Sequence, residues 1–305
     1  MVAARTIDRT PALALVGTGA VSVQFGAALA TKLFHRVGPA GAVTLRLVLA
    51  ALVLAGGLGV ARVRAGPGPA PRSRSWSDWA VAAGFGAVLA AMNLSFYESI
   101  ARIPLGVAVT IEFSGPLAVA LVASRRWADG LWAALAGSGV VLLASGAGRH
   151  LDPVGIGLAF LAGAFWAGYI LLSRETGRRF DSIRGLAWAM AIGSLAVLPF
   201  GLVAGGTRLG SPTVLGLGLT VAILSSVVPY SLELIALRRV TPRAFGVMMS
   251  LDPALATAAG FAVLGQRLTL REWVALALVV AANAGNSVTR PAVPPTPEDV
   301  VATTP

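Results

Sequence analysis

Two carboxylates stand where an apolar chain normally carries none. Glu112, in the stretch Ile111-Glu112-Phe113-Ser114-Gly115-Pro116, and Asp252, followed directly by Pro253, both lie deep inside long apolar runs. A carboxylate at the centre of a membrane-spanning helix costs about 2.5–3.5 kcal/mol on insertion scales, so such a residue is expected to face a cavity or a partner. Each proline also lacks an N–H and frees the carbonyl four residues before it, that of Glu112 for Pro116 and that of Met249 for Pro253. Broken helices at membrane depth are tolerated where the freed groups line a cavity. The chemistry open to such a place is substrate and proton binding. Desolvation disfavours the charged form of a carboxylate, which makes Glu112 a candidate proton carrier, with Asp252 the next. For Asp252 a helix cap is the alternative, since Asp before Pro suits the start of a helix.

Other polar residues interrupt the apolar runs. Arg46 lies about seven residues, roughly 10 Å of helix, inside the second run. It either snorkels to the outer surface or pairs with a buried acid or a substrate carboxylate. Glu98 and Glu233 sit nearer the ends of their runs, as gate elements or as residues that snorkel to the interface. Gln24, Asn93, Ser114, Trp166, Tyr169 and Tyr230 complete the candidate cavity lining. Trp166 and Tyr169 are three apart and can share a helix face, for packing or for a ligand.

The elements that must hold these residues follow from composition. The chain has 305 residues, 56% of them hydrophobic and 12% charged, with mean hydropathy +0.79. A soluble domain is about 45–50% apolar and about 25% charged, so this is a membrane protein with the lipid bilayer as its surroundings. The net charge of +11 does not indicate nucleic acid, because the basic residues fall in short gaps between apolar runs instead of on one polar face. With no cysteine, neither a disulfide framework nor a thiolate metal site exists. Spanning the hydrocarbon core takes roughly 20 helical residues. Ten such runs are present, near 12–33, 39–60, 79–99, 104–123, 131–148, 153–173, 185–204, 214–237, 243–264 and 270–288. Period-2 alternation is missing, which argues against a β-barrel. The first run is longer than a signal peptide's apolar region, and the proline-rich tail 289–305 is expected to be disordered and cytoplasmic.

Alternating the loops between the two sides places 16 Lys and Arg on the N-terminal side and 7 on the other, with Arg46 inside a span. Both termini are therefore expected in the cytoplasm. Six of the seven tryptophans fall near predicted span ends, where amphipathic rings prefer to sit.

The two halves also resemble each other. "FYESIARIPLGVAVTIEFSGPL" (96–117) and "YSLELIALRRVTPRAFGVMMSLDPAL" (230–255) share an acid near a span end, a basic turn and an apolar run leading to a proline. Glu98 then matches Glu233, Pro116 matches Pro253, Trp132 matches Trp273 and Gly26 matches Gly168. Five spans per half, an odd number, insert the second half upside down, the build of many secondary transporters. The expected fold is all-α and integral to the membrane, with ten transmembrane helices as two inverted five-helix repeats, 1–150 and 151–288.

On these motifs the chain resembles the EamA-type transporters of the drug/metabolite transporter superfamily, and within them the threonine/homoserine exporter branch. The resemblance implies export of small metabolites, amino acids in that branch, across the inner membrane. Asp252 is shorter than the glutamate expected there. Proton antiport is expected from the buried acids and from the missing Gly-rich phosphate loop with its lysine. The partners expected are an amino acid or related metabolite, protons and lipid, with a homodimer as the assembly to test. No cofactor or metal is implied. The competing readings are an exporter of another small metabolite or drug-like compound, a channel, and a membrane-embedded enzyme, for which no nucleophile–base pair is visible.

Overall fold

The structure is a computed structural model, and it describes residues 12–65, 74–122, 127–144, 151–180, 182–236 and 248–289. Among the described residues there are helices and turns and no strand. Helix α1, Ala12–Ala65, is followed by α2 (Trp76–Ile100), α3 (Leu105–Glu112), α4 (Ser114–Val122) and α5 (Trp127–Ala144). The second half holds α6 (Pro153–Arg179), α7 (Ser182–Gly205) and α8 (Pro212–Ala222), then a π turn at Ile223–Val227 that leads into α9 (Val228–Ala236). Helices α10 (Asp252–Leu264) and α11 (Leu270–Thr289) close the described chain. The expected disordered tail lies outside the described residues.

Five stretches are long and apolar enough to cross a membrane: Ala14–Gly57, Trp76–Ile100, Pro153–Arg179, Arg184–Gly210 and Pro212–Leu232. Three shorter apolar helical stretches, Leu105–Val119, Gly130–Leu142 and Asp252–Leu264, lie among them. The 54-residue α1 is two arms meeting at Gly38, whose φ of 69° and ψ of 170° leave the helical region. A positive φ is what glycine provides without a Cβ penalty, and Pro39 starts the second arm with a pre-set φ. The arms must fold back on each other. Ser22, roughly 24 Å of helix before Gly38, and Arg46, roughly 12 Å after it, bond neighbouring residues of the same π turn.

Local signals set the helix starts. Ser75 and Asp78 form a capping box at α2, and Asp152 accepts from the Val154 N–H at 2.8 Å to cap α6. Helix α2 packs on α6 and α7, α1 packs on α7, α8, the π turn, α9 and α10, and α5 packs on α11. Most packing therefore joins the first half to the second. One cluster of buried apolar side chains runs through this interface, from Ala27 and Leu33 through Leu89 and Ile111 to Ala159, Val221 and Ala256. Trp76, Trp188 and Trp273 are exposed on the outside of the bundle near helix ends.

Candidate functional site

The site is built around a defect in the helix that runs from α8 to α9. In the π turn the N–H of Val228 passes over Leu224 and bonds the carbonyl of Ile223. The next residue is Pro229, which has no N–H to give. The α-helical partner of the Leu224 carbonyl is thus diverted, and that of the Ser225 carbonyl does not exist. Both carbonyls are taken by side chains of α1. Ser22 Oγ donates to the Leu224 carbonyl at 2.7 Å from the first arm, and Arg46 Nη2 donates to the Ser225 carbonyl at 2.7 Å from the second. Gly26 allows this approach, because a Cβ there would collide with Ser225 Oγ.

Arg46 turns inward and is 5% exposed. Its Nε donates to Ser226 Oγ at 3.0 Å, and its Nη1 makes a longer 3.4 Å bond to the Tyr97 hydroxyl. The Tyr97 ring, fully buried, stands 5.6 Å from the guanidinium carbon and is held against Phe34 and Phe96. Tyr230 also acts electrostatically on Arg46.

Glu112 and Asp252 are 8% and 5% exposed. They come from α3 and α10, which pack on each other, and Gln266 Oε1 accepts from the Leu105 N–H at 3.1 Å at the end of that contact. Glu112 lies within electrostatic range of both Arg46 and Asp252. Among the described residues it makes no direct hydrogen bond or ion pair, and Arg46 and Asp252 act on it through space. The helix divides just after it, at Phe113, and Pro116 falls in the first turn of α4. The Glu112 carbonyl, which has no N–H at residue 116 to bond, meets Gly163 of α6, where a Cβ would lie 2.7 Å away. Asp252 is the first residue of α10, with Leu251 in the cap position and Pro253 next, so it stands one place inside the cap.

Arg46, Glu112, Asp252 and Tyr230 are therefore brought together. The remaining candidates are dispersed. Gln24 is buried in the first arm of α1, and Asn93 donates to the carbonyl of Leu89 in its own helix at 2.8 Å. Trp166 packs edge-on against Phe113 at 4.9 Å, whereas Tyr169 packs against Phe85 at 5.2 Å, so the shared face does not give a shared partner. Ser114 borders a cleft of about 320 Å3 with Thr110, Phe113, Ala136 and Phe160; its walls are apolar, and Arg46, Glu112 and Asp252 do not border it. Glu98 pairs with Arg102 at 2.6 Å near a helix end, and Arg102 reaches Asp152 at 3.8 Å. At the other end of the same helix pair, Arg179 joins Glu175 at 2.7 Å and Asp78 at 3.4 Å. Helices α2 and α6 are thus tied at both ends. The side chain of Glu233 lies outside the described residues. Ser22, Tyr97, Ser225, Ser226 and Pro229 were not among the sequence candidates, although Pro229 stands four residues after Ser225, the spacing that marks Pro116 after Glu112.

The profile of the EamA-like transporter family matches residues 153–287. The threonine/homoserine exporter RhtA of Escherichia coli strain K12 is 43% identical over 274 residues, covering 88% of this chain and 88% of the relative. The RhtA of Salmonella typhimurium strain LT2 matches to the same extent. The chain belongs to the EamA-like transporter family. It is accordingly a multi-pass membrane protein of a transporter family, with the RhtA exporters among its relatives. A solved crystal structure shares this EamA fold at a TM-score of 0.60 and 19% identity, covering 91% of this chain and 96% of the other.

Proposed function

We propose that this EamA protein exports small amino acids of the threonine and homoserine class from the cytoplasm in exchange for protons. The observation that carries the reading is the meeting of Arg46, Glu112 and Asp252 inside an apolar bundle. Charges that could not stay in hydrocarbon unaided are gathered where the two halves face each other. An amino acid offers a carboxylate for Arg46 and an ammonium for Glu112. A proton arriving at Glu112 neutralises it and releases the ammonium, so proton and substrate compete for one group, which is all that antiport requires.

Ten transmembrane helices in two inverted units, 1–150 and 151–288, suit alternating access about this centre. The packing supports that arrangement. Gly26 lies against Leu224 of the π turn, and Gly168, its equivalent, lies against Val88 of α2. Val88 and Leu224 are related by nearly the same offset as Glu98 and Glu233. The excess of arginine on the N-terminal side supports cytoplasmic termini in the inner membrane. Export, not catalysis, is the activity proposed. Purified protein in liposomes tests it: labelled threonine or homoserine should move saturably and follow an imposed pH gradient. Uncoupled conductance or a covalent product would replace this reading with a channel or an enzyme.

A further inference from the structure

Arg46 carries five N–H donors in one plane, and their partners are unevenly spread. One edge of the guanidinium, Nε with Nη2, is gripped by consecutive residues of the π turn, Ser226 Oγ at 3.0 Å and the Ser225 carbonyl at 2.7 Å. Among the described residues, the other edge, Nη1 with Nη2, has only the 3.4 Å contact of Nη1 with Tyr97. Each edge has the parallel donors that take a carboxylate two-pronged. Only the second lacks a pair of close acceptors among the described residues.

We propose that Pro229 and the π turn it enforces are a positioning device for carboxylate recognition. Ser225 and Ser226 hold the inner edge of Arg46, and the Nη1/Nη2 edge takes the substrate's carboxylate. This rests on the amino-acid reading above and names the residues that give it selectivity. In an unbroken α-helix the N–H of residue 229 would occupy the Ser225 carbonyl. Proline there reserves that carbonyl for Arg46. The Ser226 hydroxyl then fixes the plane of the guanidinium, and the Tyr97 hydroxyl, on a ring wedged between Phe34 and Phe96, gives up its long contact when a carboxylate arrives. Glu112, within electrostatic range of Arg46, meets the other charge of the amino acid.

The test compares labelled threonine with threoninol, which keeps the ammonium and side chain but has an alcohol for the carboxylate. Both are measured in proteoliposomes holding the full chain or the variants Ser226→Ala, Ser226→Thr and Pro229→Ala. Ser226→Ala should raise KM for threonine about tenfold, the scale of one charge-assisted hydrogen bond, and move threoninol far less. Ser226→Thr keeps the hydroxyl and should restore threonine. Pro229→Ala returns an N–H to the helix, so it is expected to fold at least as well, yet it should show the same selective rise. If threonine and threoninol shift together in Ser226→Ala and Pro229→Ala, the two residues are structural and the positioning role is overturned. If the wild-type chain moves neither compound under a pH gradient, the export reading falls first, and this inference with it.

Discussion

Glu112→Gln separates a proton carrier from a carboxyl group that merely fills space. The amide has the shape of the carboxyl but cannot titrate. Glu112 bonds no described residue, and Arg46 is held by Ser225, Ser226 and Tyr97 without it. Nothing in the site should therefore rearrange. Replacing a buried, titratable carboxyl group by a neutral amide of the same shape should change thermal stability in detergent little. Function should change far more. In liposomes with the lumen one pH unit more acidic than the bath and the membrane potential clamped at zero, each proton leaving can bring in one threonine. The gradient is worth about 1.4 kcal/mol, which sustains about a tenfold accumulation for one-for-one exchange. Wild-type protein should approach that ratio. The glutamine variant should fall to a ratio of about one while appearing in the membrane at normal levels, because the group proposed to couple the gradient can no longer take up a proton. Accumulation by the variant to the wild-type ratio, with the same pH dependence, would refute the reasoning and move the proton to another acid, Asp252 first.

Ser22→Ala leaves the partly buried carbonyl of Leu224 without its donor and should cost about 1 kcal/mol, read as a lower thermal midpoint in detergent, whereas Ser22→Thr should recover most of it. Gly115→Ala places a methyl group onto the Gly163 carbonyl, backbone against backbone, and should push α4 from α6 at a cost of about 1–3 kcal/mol or more, visible as poor membrane yield. Glu98→Gln removes a partly exposed ion pair with Arg102 and should change stability by less than about 1 kcal/mol; a changed transport rate with intact coupling would mark it as a gate element. A cysteine placed at Gly68 in this cysteine-free chain should react with an impermeant thiol reagent only from the cytoplasmic side, and labelling from outside intact cells would invert the topology.

The apolar runs were legible because crossing a bilayer demands uninterrupted length; helix is found in the described part of each run, and five of the helical stretches are long and apolar enough to cross a membrane. The break beside Glu112 was legible too, since a proline four residues on removes a backbone donor whatever the tertiary structure. What escaped was the inward face of each helix. Where every side of a helix is apolar, no polar stripe tells which side meets protein and which meets lipid. Trp166 and Tyr169 share a face by spacing, but α6 lies between two neighbours, so one ring meets Phe113 and the other Phe85. Tyr97 lies inside the segment that shows the repeat, yet its role depends on a guanidinium arriving from α1. The π turn was the hardest to read. It is stable because Ser22 and Arg46, far away in sequence, supply the donors that the helix itself lacks.

The single-residue fold at Gly38 has a mechanical consequence. A connection of ordinary loop length absorbs movement, but here nothing but one backbone step lies between the two arms of α1. The joint has no slack. Each arm grips the same π turn by one carbonyl, so the arms and the turn form a closed linkage of three members. A swing of either arm must then pull on Leu224 and Ser225 together, or one grip must let go. Adding even a few flexible residues at Gly38 would loosen that linkage while sparing every contact in the centre, and such an insertion should slow turnover more than it weakens binding.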